Sequence, residues 1–285
     1  MDGVEANTRS IEGSVVTDFA DRMSYGGYLD LGTLLSAQRP LSDPEHHDEL
    51  LFIVQHQTTE LWLKLILHEL GAARAFLRAD DLPPALKALA RVKHILATLT
   101  DQWSVLATLT PAEYAQFRGV LGNASGFQSA QYRAVEFTLG NKNAGMLRVF
   151  AADPAASALV TAALEAPSLY DEFLRMLARA GYDIPEAVLT RDVTTAWTFT
   201  PELVPVFAAV YADPGAHWAA YETCEELVDL EDDFQLWRFR HLKTVERIIG
   251  FKTGTGGSSG VPFLQRALSL TFFPELFAVR TEIGR

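Results

Sequence analysis

Two histidines of this 285-residue chain lie on apolar stripes with helical spacing, where an imidazole can do chemistry. His241 is four residues after Trp237 and four before Val245, and His56 is four residues after Phe52. A histidine in such a place is more often a satisfied core residue. The alternative is a neutral imidazole that binds a haem iron, with aromatic residues and small residues packed around the macrocycle. The chain contains both kinds of residue, so the pattern leaves core and ligand roles open for each histidine.

Arg118 is a candidate of another kind, a cation on a short helix that is predicted to begin after Thr110. It shares one face, more apolar than charged, with Tyr114, Phe117 and Leu121. A partly desolvated guanidinium can bind a carboxylate through two parallel hydrogen bonds. The alternative is an exposed arginine that only contributes to solubility.

The glycine-rich stretch at residues 254–260 is either a flexible connection between helices or a mobile lid over a ligand. It lacks the GxxxxGK[ST] spacing and follows a predicted helix, which argues against a nucleotide phosphate site. Metal sites of the HExxH and ExxH kinds are excluded, because no histidine follows a glutamate by three residues. The single cysteine, Cys224, excludes a disulfide within the chain, CxxC zinc sites and iron–sulfur clusters.

The composition is that of a globular chain with a large core, with 48% hydrophobic and 21% charged residues. The formal net charge is −12 and no basic block offsets it, so we expect neither nucleic acid nor an anionic membrane as a partner. Residues 1–23 lack the apolar segment of a secretory signal, and no run of about 18 apolar residues is free of charge. Together with the lone cysteine, these features predict a cytoplasmic protein.

Helix signals run along almost the whole chain, and windows of strict apolar alternation are few. We therefore predict an all-α fold with one helical domain, residues 25–285, after a loosely ordered arm, residues 1–24. Capping boxes predict helix starts at Ser42–Glu45, Thr110–Glu113 and Ser168–Asp171. The longest predicted helix, from about Ala216 to Ile249, carries His241. Further helices are predicted up to about residue 78 and at about 83–109 and 127–139.

Several separate motifs, in the same order, resemble the tryptophan 2,3-dioxygenase family. The motifs are Tyr25-Gly26-Gly27-Tyr28-Leu29, Leu51-Phe52-Ile53-Val54-Gln55-His56-Gln57 with Glu60-Leu61-Trp62, Ser125-Gly126-Phe127-Gln128-Ser129, Phe239-Arg240-His241, and Gly254-Thr255-Gly256-Gly257-Ser258-Ser259-Gly260. The resemblance covers about residues 25–280. Any one motif would be weak evidence, but their common order makes chance similarity very improbable.

The resemblance implies oxidative opening of the indole ring of L-tryptophan. Both atoms of O2 are inserted across the indole C2–C3 bond to give N-formylkynurenine, the first step of the kynurenine pathway. It implies one b-type haem per subunit, ferrous in the active form and enclosed by long antiparallel helices. His241 would be the axial ligand of the iron, with Ser125 and Gly126 beside the haem edge. His56 would be the catalytic residue that accepts the indole N–H, as an orienting group first and a base second.

The resemblance also implies a set of substrate contacts. The residues are Phe52, Ile53, Val54, Gln55, His56, Tyr114, Arg118 and Thr255. Arg118 would bind the substrate carboxylate, and Thr255 would close over the backbone end of the amino acid. The family further implies a homotetramer of paired dimers. In it, Tyr25, Tyr28 and Leu29 of the N-terminal segment would complete the pocket of the neighbouring subunit.

Two other functions remain open at this point. The first is a related haem enzyme that monooxygenates a modified indole in a biosynthetic pathway, and the number of oxygen atoms incorporated distinguishes it. The second is a non-catalytic helical protein that binds or senses haem. A Soret band that tryptophan does not affect would favour that function.

Overall fold

The computed structural model of the chain describes residues 8–284, which form two compact units divided between Arg39 and Pro40. Part of the predicted arm, residues 1–7, lies outside the described residues. The domain boundary predicted at residue 24 stays a prediction.

The first unit contains two short helices, α1 at Tyr25–Tyr28 and α2 at Leu31–Leu34. The Ser24 hydroxyl caps α1 by accepting a hydrogen bond from the Gly27 N–H at 3.0 Å. No side chain of residues 8–39 is buried.

The second unit contains all the longer helices. They are α3 His47–Arg78, α4 Leu82–Leu106, α5 Pro111–Phe117, α6 Ala130–Leu139, α7 Pro154–Glu165, α8 Leu169–Arg179, α9 Glu186–Leu189, α10 Leu203–Ala212, α11 Trp218–Ile249, α12 Val261–Leu268 and α13 Pro274–Ala278. Short 3₁₀ helices lie at Arg118–Leu121, Gly126–Gln128, Ala144–Phe150 and Val279–Thr281. No strand occurs in residues 8–284, and the predicted all-α class is confirmed. No helix in this part of the chain has the length and apolar character needed to cross a membrane.

The two longest helices, α3 and α11, have 32 residues each and both pack on α4. Each is about 48 Å long at about 1.5 Å per residue. The helices α3 and α4 are antiparallel, because Arg91 of α4 pairs with Glu69 near the middle of α3 and Gln102 of α4 reaches back to Thr59.

The helices α4 and α11 run in the same direction. Lys93 of α4 pairs with Asp229 of α11 at 2.9 Å. Trp103, ten residues further along α4, stacks on His241, twelve residues further along α11. Since α3 runs opposite to α4, it also runs opposite to α11. The long helices that carry His56 and His241 are therefore antiparallel to each other.

Periodic burial explains why α3 packs as it does. Leu63, Ile66, Leu70 and Leu77 are almost fully buried, at spacings of three, four and seven residues that keep them on one face of the helix. The hydrophobic effect of burying this face, about 25 cal/mol per Å² of apolar surface, holds α3 against α4.

Two of the three predicted capping boxes are confirmed. Thr110 opens α5 and Ser168 opens α8, each with reciprocal bonds to the third residue of the helix. The prediction at Ser42 is wrong, because α3 begins at His47 with His46 as its cap. The Ser42 hydroxyl donates to the buried carboxylate of Glu49 instead.

Candidate functional site

The two histidines that stood out in the sequence are close enough in the structure for one to influence the charge of the other. His56 lies on α3 and His241 on α11, and both rings are half-buried. Burial lowers the pKa of His241 to about 4, and the charge of His56 lowers it as well. One imidazole thus senses the charge of the other, and His241 is neutral at pH 7.

Trp103 of α4 fixes the plane of the His241 ring. The two ring centroids are 4.7 Å apart and the planes are inclined by only 11°. In the described part of the chain, no protein group is hydrogen-bonded to the His241 ring. The orientation of this imidazole therefore comes from aromatic stacking.

The hydrogen bond of His56 assigns its tautomer. Nδ1 lies 2.7 Å from the Phe52 carbonyl oxygen, which can only accept, so Nδ1 carries the proton. Burial lowers the pKa of His56, against the opposing effects of this hydrogen bond and of the Glu60 charge. At neutral pH the ring is neutral, and Nε2 presents a lone pair that can accept a hydrogen bond.

Aromatic residues form a wall beside His56. Its ring centroid is 4.1 Å from that of Phe52, which lies 5.8 Å from Tyr114 and 5.7 Å from Phe117. Tyr114 and Phe117 are buried and meet edge to face at 5.4 Å. The wall is built by one turn of α3 and by α5, so the Thr110 cap that starts α5 also orients these rings.

Arg118 follows α5 directly and lines a cavity of about 530 Å³ with Tyr114 and residues of the glycine-rich loop. Its Nη2 donates to the Thr253 carbonyl oxygen at 2.6 Å. Burial raises the pKa of Tyr114, and the nearby Arg118 charge opposes this. The cavity thus joins a guanidinium, a phenol and the loop that the sequence singled out, together with Lys252 and Thr255.

The glycine-rich loop lies against the segment that precedes α6. The Thr255 hydroxyl donates to the Ala124 carbonyl oxygen, and a Cβ on Gly256 would come within 2.6 Å of the Ser125 Cβ. Gly260 has φ +68, and a Cβ there would lie 2.6 Å from the Lys252 carbonyl oxygen. Glycine at these two positions lets the loop close onto the Ser125 segment and turn into α12.

Three other predicted site residues of α3 are not among the contacts of this cluster in the described chain. Val54 is 41% exposed and lies about 200° around α3 from Phe52. Gln55 is buried, and its amide nitrogen has no hydrogen-bond partner in the described chain. Tyr25 and Tyr28 of the first unit are exposed, as is Leu29. Ile53 is half-buried.

Trp103 and Lys252 were not predicted as site residues. Trp103 lies on the apolar stripe of α4, and its spacing within that helix does not relate it to His241, 138 positions later. Lys252 is an exposed cation two residues before the glycine-rich loop, a signal that a search for charges next to this loop could have used.

The residues present fit a b-type haem with one protein ligand. His241 is neutral and keeps part of its surface accessible, and its ring nitrogens are not engaged by a protein group of the described chain. The buried indole N–H groups of Trp103 and Trp237 have no acceptor there. A Cβ on Gly126 would meet nothing within 4 Å, so open space borders this residue. His241 could hold the iron, and Ser125 and Gly126 could border the macrocycle.

Comparison with known proteins gives a consistent result. The family model for tryptophan 2,3-dioxygenase matches residues 10–167 and 203–283. Proteins named tryptophan 2,3-dioxygenase from Arthrobacter sp. (strain FB24) and Kineococcus radiotolerans are 70% and 71% identical, over 99% and 98% of both chains. The protein of that name from Rhodococcus jostii is 68% identical over 99% of this chain and 100% of its own length. The resemblance found in the motifs is thereby confirmed, and the chain belongs to the tryptophan 2,3-dioxygenase family.

Proposed function

We propose that this chain cleaves the indole ring of L-tryptophan with O2 to give N-formylkynurenine. The observation that carries the proposal is the placement of two half-buried imidazoles on α3 and α11, His56 against Phe52 and His241 stacked on Trp103, in a chain of this family. His241 would hold a b-type haem by its unengaged ring, with one haem per subunit. A ferrous haem, when bound, supplies the redox chemistry that activates dioxygen.

His56 orients the substrate. Its Nδ1–H is bonded to the Phe52 carbonyl oxygen, so Nε2 is the atom that accepts the indole N–H. The ordinary pKa of histidine is about 6.5, and burial lowers that of His56 further. A base this weak does not readily remove the proton of an indole, so the chemical role of His56 is alignment of the ring.

Arg118 and Thr255 hold the charged end of the amino acid. One guanidinium nitrogen is bonded to the Thr253 carbonyl oxygen, and other N–H donors of the group can bind the substrate carboxylate. The Thr255 hydroxyl contacts the ammonium or carboxylate group when the loop closes over it. Phe52 and Tyr114 line the indole slot.

Neighbouring subunits complete the site in a homotetramer of paired dimers. Tyr25, Tyr28 and Leu29 are exposed in the first unit, so they are available to a second copy of the chain. Ile53, Val54 and Gln55 of α3 stay predicted substrate contacts, although they lie outside the cluster of Phe52, His56 and Tyr114. The proposed compartment is the cytoplasm, since the lone thiol, Cys224, is buried and unpaired.

Turnover of tryptophan in 18O2 by the reduced, haem-loaded chain tests the proposal. We expect N-formylkynurenine that contains two labelled oxygen atoms, detected by absorbance and mass. A product with one labelled atom would favour a monooxygenase, and a haem spectrum unchanged by tryptophan, without product, would favour a binding protein. The variant His241→Ala serves as the control, and it should neither retain haem nor form product.

A further inference from the structure

The helix α6 contacts both helices that carry the histidines. On the α3 side, Gln131 Nε2 donates to the backbone oxygen and to a carboxylate oxygen of Glu60, each at 2.8 Å. Glu60 is one turn after His56, and its charge raises the pKa of that imidazole. Gln131 therefore holds the turn of α3 that carries His56.

On the α11 side, the contact is an ion pair. Arg238 Nη2 donates to Glu136 Oε1 at 2.6 Å, and Arg238 is three residues before His241. The Tyr132 hydroxyl donates to the same oxygen at 2.8 Å, and Arg133 donates to the other carboxylate oxygen. Glu136 thus fixes the turn of α11 that leads into His241.

The ion pair is almost completely buried. Arg238 is 4% and Glu136 3% exposed, and the guanidinium lies over the rings of Phe234 and Phe272, 4.7 and 5.2 Å from their centroids. Arg238 Nη1 also donates to the Ala267 carbonyl oxygen at 3.1 Å. Desolvating such charges offsets much of their attraction, so a buried pair adds little net stability. The pair does restrict α6 and α11 to one relative geometry, because each buried charge must stay in contact with its partner.

Gln131 and Glu136 are five residues apart, which separates them by about 140° around α6. One helix can therefore hold α3 and α11 at the same time from two of its faces. The helices α3 and α11 also share two other neighbours, α4 and α5.

We propose that α6 sets the separation of His56 and His241, with Gln131, Glu136 and Arg238 as positioning residues. The inference rests on the proposed function, in which both imidazoles serve one site. It assigns these three side chains a task in aligning substrate and cofactor without contact to either.

The variant Glu136→Gln keeps the size of the side chain and removes its charge. Its matched control is Glu172→Gln, because Glu172 is 1% exposed and accepts from Arg78 Nη2 at 2.7 Å. Arg78 is the last residue of α3, about 33 Å along the helix from His56. Both variants remove a buried charge beside an arginine of a long helix, but only Glu136→Gln does so beside the site.

The first measurement is the distance between spin labels on α3 and α11. Labels at Lys64→Cys and Lys243→Cys use two exposed positions, and Cys224 is buried, which protects it from labelling. Labelled chains are diluted with unlabelled ones, so that each measured distance is between two labels on the same chain. We expect a broader or shifted distance distribution in Glu136→Gln and an unchanged one in Glu172→Gln. An unchanged distribution in Glu136→Gln, or equal changes in both variants, overturns the proposal.

The second set of measurements distinguishes the contact of α6 with α3 from its contact with α11. Gln131→Met removes the amide at similar length and, being only partly buried, provides the test if Glu136→Gln does not fold. We expect it to raise the KM for tryptophan about fivefold, because the hydrogen bond between His56 and the indole is weakened and not removed, with kcat little changed. Glu136→Gln should instead shift the iron–histidine vibration of the haem-loaded chain. If both readouts stay at the parent values, α6 is not a positioning element. An inactive parent chain would contradict the proposed function, whereas the label distances would still test α6.

Discussion

Replacing Arg118 by alanine removes the group that we expect to separate tryptophan from indoles without a carboxylate. The guanidinium is half-buried at the edge of the 530 Å³ cavity, and its Nη2 is 2.6 Å from the Thr253 carbonyl oxygen. A hydrogen bond to a charged group contributes about 1.5–3 kcal/mol. The variant should therefore lose about 10- to 150-fold in kcat/KM for tryptophan.

The assay compares the KM of tryptophan with the inhibition constant of tryptamine, which has the indole and ammonium groups but no carboxylate. The parent chain should favour tryptophan, and Arg118→Ala should largely abolish the difference by weakening tryptophan alone. The matched control is Arg247→Ala, since Arg247 Nε donates to the Ala107 carbonyl oxygen at 2.9 Å outside the cavity. Equal weakening of both ligands, or the same loss in Arg247→Ala, would refute the assignment of Arg118 to the carboxylate.

Three further predictions concern side chains buried around the site and in the core. His56→Ala should retain haem and lower kcat/KM about tenfold, the worth of one orienting hydrogen bond, whereas complete loss of turnover would show an obligatory base. Trp103→Leu should speed the transfer of haem to apomyoglobin, because leucine cannot stack on His241. Trp103→Phe keeps an aromatic ring there and should not speed it, so equal transfer rates in the two variants would contradict the stacking role. Burial raises the pKa of Glu231 from 4.5 to about 7. Between these two pH values the folded chain keeps a proton on Glu231 that the unfolded chain releases. The stability due to this proton is present below about pH 4.5 and is lost as the pH rises through about 7. Glu231→Gln should therefore gain thermal stability relative to the parent at pH 8 but not at pH 5, and a constant difference in melting temperature would refute this.

The sequence predicted the helical fold in some detail because its signals are local. Apolar residues at spacings of three and four define α3 and α11, and the helix predicted at about 216–249 is observed at Trp218–Ile249. The capping boxes at Thr110 and Ser168 are satisfied within four residues of chain, so they too can be read from sequence. Ser42 was misassigned because its hydroxyl is taken by the Glu49 carboxylate, a competing contact that the spacing does not reveal.

The motifs also identified the family and, through it, the histidines and Arg118 as the chemistry-bearing residues. Apolar spacing alone left both histidines between core and ligand roles, because an imidazole on a packed helix face has the same pattern in either case. Their roles in this chain stay predictions that the experiments above test.

The tertiary structure alone decided how these residues are set relative to one another. It stacks Trp103 on His241, assigns the proton of His56 to Nδ1, and places α6 between the two helices through Glu60 and Arg238. Periodicity reports which face of a helix is buried, but not which distant helix covers it. Contacts between residues a hundred positions apart depend on how whole helices pack, and the local pattern of residues carries no record of that arrangement.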